Sequence, residues 1–109
     1  MGKIIFITIE KLLEMQANDE KFKLVEVLPE ENFSEGHIPG AINIPLGKFG
    51  SLVDKYLEKE DIIVVYCASY SCHASTMAAQ KLLEMGYEHT VDFKAGKRWW
   101  VHSGFGLEK

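Results

Sequence analysis

The stretch Ile62–Tyr66, IIVVY, is apolar at every position and runs straight into Cys67. A strand that is apolar on both faces must be covered on both faces, which places it in the middle of a sheet with helices above and below. After Cys67 the chain turns polar and small, ASYSCH. A helical pattern then begins in which Ala74, Met77, Ala78, Leu82 and Met85 share one face, and Gly86 supplies a C-terminal stop. A buried strand that passes through a short loop into a helix is the building unit of a parallel sheet.

The rest of the chain repeats that alternation. Ile4–Ile7 is a short strand candidate, and a helix starts near Thr8 with Ile9, Leu12, Leu13 and Gln16 at helical spacing. Lys23–Leu28 reads as a strand that Pro29 stops. Pro29 suits a helix first turn, where its missing N–H costs nothing, and Glu30 and Glu31 sit well at the positive helix end. Pro39-Gly40 marks a type II turn. Ala41–Ile44 is the next strand, and Phe49, Leu52, Val53 and Leu57 line one side of a helix. His89–Lys94 is a final strand and KRWWVHS a short final helix. This order predicts an α/β domain: a mostly parallel central sheet of about five strands with helices on both faces. With 109 residues, 47% of them apolar, residues 1–109 suit one compact domain.

Charge narrows the choice of partners. A net charge of −4 argues against nucleic acid and anionic membrane, both of which select basic surfaces. No apolar run approaches the ~20 residues that span a bilayer. The start, MGKIIFITIEKLLEM, lacks a small-residue cleavage site, and Gly2 is not followed by the Ser or Thr of a myristoylation pattern. Two cysteines without a secretory signal point to reduced thiols and a cytoplasmic setting.

Cys67 is the residue that carries chemistry. In open parallel sheets, ligands bind beyond the carboxyl ends of the strands, and Cys67 stands at such an end. It leads into a helix N-terminus, whose unpaired N–H groups and dipole favour negative charge. Such settings lower a cysteine pKa from ~8.5 to ~3.5–7.5 and favour the nucleophilic thiolate. The competing role is packing, since cysteine is among the most buried residue types.

GHIPGAINIP (Gly36–Pro45), VVYC (Val64–Cys67) with its following helix, and the closing FKAGKRWWVHSGFGLE resemble the rhodanese-like domain, a single-domain sulfurtransferase fold. Trp100 falls at the tryptophan of the family's last motif. The resemblance covers nearly the whole chain, in order and spacing. It implies a reaction: Cys67, at the catalytic position, attacks the outer sulfur of a donor such as thiosulfate or a persulfide and becomes a persulfide itself. A thiol or cyanide acceptor, or a sulfur-relay protein, then takes that sulfur. Loop amides stabilise the intermediate, so Ala68, Ser69, Tyr70, Ser71, Cys72 and His73 are the expected cradle. No cofactor and no metal are implied. The alternative is a non-catalytic rhodanese-like module that binds a partner or regulates; retention of Cys67 favours the enzyme.

This chain departs from the family pattern. The usual loop runs Cys, four residues, Arg, Ser. With Ser75 aligned to that serine, the loop is two residues longer and Ala74 replaces the arginine. Arg98 is the only arginine in the chain and lies in another motif, so the loop itself holds no guanidinium to grip an oxyanion. His73 and the hydroxyls of Ser69 and Ser71 are the substitutes at hand. Glu26 and Leu28 stand where the family has Asp and Arg, and Gly106 where Pro is common. The missing arginine argues against a related cysteine-phosphatase chemistry, which must neutralise transition-state charge.

Cys72 keeps two readings open. It takes sulfur from Cys67, or closes a disulfide with it and releases sulfide; or it fills the loop's underside. Cys67, Cys72 and His73 fall short of the four paired ligands of structural zinc. His37 reads as structural, and His102 as surface or packing. Tyr70 is placed to shape the pocket mouth. Of the adjacent Trp99 and Trp100, one is core and one partly exposed. The acidic PEE and EKED runs read as solvated.

Overall fold

The computed structural model describes residues 3–18 and 20–109. The Gly2 reading lies outside these residues. Five strands form one sheet: β1 (Ile5–Phe6), β2 (Lys23–Glu26), β3 (Ile42–Asn43), β4 (Ile63–Tyr66) and β5 (Thr90–Asp92). Their order is β1-β5-β4-β2-β3, and every pair is parallel. The expected α/β architecture is therefore what the chain adopts, with β4 in the centre.

Five helices connect and cover the strands: α1 (Ile9–Ala17), α2 (Glu30–Glu35), α3 (Phe49–Tyr56), α4 (Ala74–Glu84) and α5 (Gly96–His102). Thr8 caps α1 by accepting the Lys11 amide at 3.1 Å. The Pro39-Gly40 turn closes as expected, with the Ala41 amide on the Ile38 carbonyl at 3.0 Å and Gly40 at φ 88°.

Alternation along β4 divides the core in two. Ile63, Val65 and Cys67 pack with Val53 and Leu57 near α3 and with Ala78, Ala79 and Leu82 of α4. Val64 and Tyr66 pack on the other face with Ile9, Leu12 and Met15 of α1 and Trp100 of α5. Each such fully buried aliphatic side chain contributes about 1.5–3 kcal/mol relative to exposure. IIVVY is thus covered on both sides, although Ile62 itself precedes the strand and is exposed.

Local differences have local causes. The strands are shorter than their apolar runs. Pro29 is the cap before α2 rather than its first residue. On α1 the buried stripe is Ile9, Leu12 and Met15, and Gln16 faces out. On α4 Met77 is 59% exposed, because Ser75, Ala78, Ala79 and Leu82 form the face against the sheet. Trp100 is the core tryptophan and Trp99 the partly exposed one, stacked on His102.

Candidate active site

Cys67 ends the central strand, and three elements converge on it. The first is α5: its Lys97 amide donates to the Cys67 carbonyl at 2.9 Å, and its Arg98 amide to the Ala68 carbonyl at 2.8 Å. Gly96 makes that approach possible. It holds φ 72°, and a Cβ there would lie 2.6 Å from the Cys67 carbonyl oxygen.

The second is the start of α4. The Ser75 amide points at the Cys67 sulfur, and the Ala68 and Ala74 amides point at the Cys72 sulfur. The amides that face the two sulfurs therefore come from the residue after Cys67 and from the first turn of α4. Ser75 is fully buried, and its hydroxyl lies between Cys67 and Asp92, biasing both groups while in hydrogen-bond geometry with neither. The Ser69 and Ser71 hydroxyls bond to each other at 3.0 Å. His73 is the exposed cap residue of α4 and makes no side-chain cap bond. Tyr70 is 64% exposed at the loop tip.

The third is the end of β5. The Lys94 ammonium donates to the Cys72 carbonyl at 2.6 Å, and the Cys67 thiol donates to the same oxygen at 3.4 Å. The environments of the two thiols push them apart. Burial raises the Cys67 thiol, and contact with Cys72 adds to the rise, against the Ser75 amide and hydroxyl. Burial also raises Cys72, but the Cys67 thiol, the Ala68 and Ala74 amides and the Lys94 charge outweigh it, so the net shift is downward. Cys67 has no exposed surface, whereas Cys72 is half-buried. In this conformation the readier thiolate is Cys72, and access to the Cys67 sulfur requires movement of the loop.

A cation reaches the loop from outside it. Arg98 lines two cavities of about 420 Å³, one beside Ala68 and one beside Ser69, Tyr70 and Ser71. Its side chain makes no ion pair or hydrogen bond among the described residues. A guanidinium on α5 thus borders the loop, which holds none of its own. Sequence reasoning also missed Lys94. Its signal was position: it follows β5, whose carboxyl end lies beside that of β4 in a parallel sheet.

Behind the loop lies a buried polar network. Lys97 donates to Glu26 at 3.0 Å and to the Gly36 carbonyl at 2.8 Å. Tyr66 donates to Glu26 at 2.9 Å and accepts from the Ile38 amide at 3.1 Å. Glu26, which replaces the family's aspartate, thereby ties β2, β4 and α5 together. His37 is structural: it stacks on Phe33 at 3.8 Å, and its backbone bridges to Glu108. No group of three or more metal-ligating side chains occurs among the described residues, and none of the described helices is long and apolar enough to cross a membrane.

Comparison with known proteins agrees with this architecture. A crystal structure of a Bacillus halodurans protein superposes with a TM-score of 0.86 at 30% identity, covering 95% of this chain and 76% of that one. A sulfurtransferase of Allochromatium vinosum is 26% identical over 98 residues, 90% of this chain and 89% of the relative. YrkF of Bacillus subtilis, named as a sulfur carrier protein, is 27% identical over 98 residues; the match takes in 87% of this chain but only 50% of the relative, so the chain spans about half of that protein's length. The family model described as the rhodanese-like domain matches residues 8–103. The chain belongs to the rhodanese-like domain family.

Proposed function

We propose that this rhodanese-like domain transfers sulfane sulfur through a persulfide on Cys67. The observation that carries the reading is the setting of Cys67: the end of the central strand, faced by the Ser75 amide and by a buried Ser75 hydroxyl without a partner. Those donors match the extra negative sulfur that a persulfide would add, and they are in place before it forms.

The reaction follows from the two thiols. The Cys67 thiol gives up its proton, which the departing sulfite or thiolate takes. The Cys67 sulfur then attacks the sulfane sulfur of the donor, forming one S–S bond and breaking another. Sulfite leaves from thiosulfate, or a thiolate from an organic persulfide. Arg98 attracts the anionic donor at the loop cavities, and Lys94 holds the Cys72 carbonyl. A thiol or cyanide acceptor takes the outer sulfur and restores Cys67. A sulfur-relay protein is a suitable acceptor, in keeping with relatives named as sulfur carrier and sulfurtransferase. Reduced thiols fit a cytoplasmic setting, and residues 1–109 serve as the catalytic unit.

Turnover tests the reading. With a persulfide donor and cyanide, wild-type protein should form thiocyanate, and Cys67→Ser should lose at least a hundredfold in rate. Equal rates for both proteins would refute it.

A further inference from the structure

Cys67 and Cys72 are both free, and the Cys67 thiol lies 3.4 Å from the Cys72 carbonyl oxygen. A main-chain turn, with the Cys72 amide on the Ser69 carbonyl at 3.0 Å, folds the loop back over the strand end. Cys72 thereby packs against the apolar cluster that contains Cys67. Such proximity is a precondition of disulfide closure, which needs Cα atoms within ~7 Å.

We propose that Cys72 is the resolving nucleophile of the loop, attacking the Cys67 persulfide to close a Cys67–Cys72 disulfide and expel the outer sulfur as hydrosulfide. The proposal rests on Cys67 as the sulfur carrier. Its balance is complete: Cys67–S–S⁻ and Cys72–SH give Cys67–S–S–Cys72 and HS⁻. The bond between the two persulfide sulfurs breaks, a bond between the two cysteine sulfurs forms, and the Cys72 proton leaves on the sulfide. No outside oxidant is needed, because the sulfane sulfur is itself reduced.

Two features direct the attack to the inner sulfur. The Cys72 main chain already contacts the Cys67 sulfur. Attack on the outer sulfur would instead expel the Cys67 thiolate, which burial makes a stronger base and a poorer leaving group than hydrosulfide. Until an external dithiol supplies two electrons, the closed loop accepts no further sulfur. Sulfide release is thereby coupled to thiol reductant supply.

The test is a single turnover. Protein is loaded with glutathione persulfide, freed of excess donor, and left without acceptor. Wild type should release one hydrosulfide per loaded sulfur, trapped with monobromobimane. Non-reducing peptide mapping should show the Cys67–Cys72 disulfide in step with that release. In Cys72→Ser and Cys72→Ala, the Cys67 persulfide should persist at least tenfold longer. A persulfide on wild type that is as long-lived as in the variants, with no disulfide, overturns the proposal while leaving the carrier role intact. Failure of wild type and both variants to take up sulfur at all overturns the carrier reading and the proposal with it.

Discussion

The Lys97 amide donates to the Cys67 carbonyl at 2.9 Å, so the helix after the last strand is pinned to the residue that ends the central one. The contact depends on Gly96, which has no side chain to hold the backbones apart. Gly96→Ala would place a Cβ 2.6 Å from that carbonyl oxygen at φ 72°. Overpacking of this kind costs about 1–3 kcal/mol, with left-handed strain in addition. Urea unfolding should show a lower midpoint at unchanged slope. An unchanged midpoint would mean that α5 is not pinned here.

Lys97 and Glu26 form a pair in which the carboxylate is fully buried and the ammonium nearly so. Removing one partner strands the other. Lys97→Met should cost about 3–5 kcal/mol, and the double variant Glu26→Gln, Lys97→Met should be the more stable of the two. A double-mutant cycle checks this; strictly additive losses would show that the pair is not coupled.

The Lys94 ammonium lies beside Cys72 and donates to its carbonyl at 2.6 Å. Its charge helps lower the Cys72 thiol, so Lys94→Met should raise that pKa. Site-resolved alkylation with iodoacetamide should find Cys72 reacting faster than Cys67 in wild type. In Lys94→Met, the pH profile of Cys72 should shift to higher pH, with several-fold slower reaction at neutral pH. An unshifted profile would remove Lys94 from the electrostatics of the loop.

Asp92 is buried, accepts from the Thr76 hydroxyl at 2.9 Å, and is raised above its ordinary 3.8 chiefly by burial. The folded state therefore binds its proton more tightly than the unfolded chain does. Between the ordinary value and the raised one, stability falls as pH rises, and it levels off above the raised value. Asp92→Asn keeps an acceptor for Thr76 and should flatten that part of the curve. Denaturation across mildly acidic pH measures the slope; the same slope in both proteins would contradict the assignment.

The architecture was legible because burial has a period. IIVVY announces a central strand, and the break at Cys67 announces the strand end where ligands bind. What stayed hidden depends on distance in sequence. Glu26 and Lys97 lie on β2 and α5, and only the parallel sheet brings them together. Arg98 belongs to a separate motif, yet it borders the cavities beside Ala68 and Ser69. Ser75 aligns with the family's serine, but its burial is not visible in the sequence, because polar residues in a first turn usually face water. The Ser69 and Ser71 hydroxyls bond to each other, a choice between nearby partners that composition does not reveal.

The central claim is that Cys67 carries sulfur, and intact mass reads it most directly. Wild type, Cys67→Ser and Cys72→Ser would each be incubated with thiosulfate and, separately, with glutathione persulfide. The account predicts a gain of one sulfur atom in Cys72→Ser, mapped to Cys67, and no gain in Cys67→Ser. A sulfur that maps elsewhere, or no gain with either donor, would contradict it.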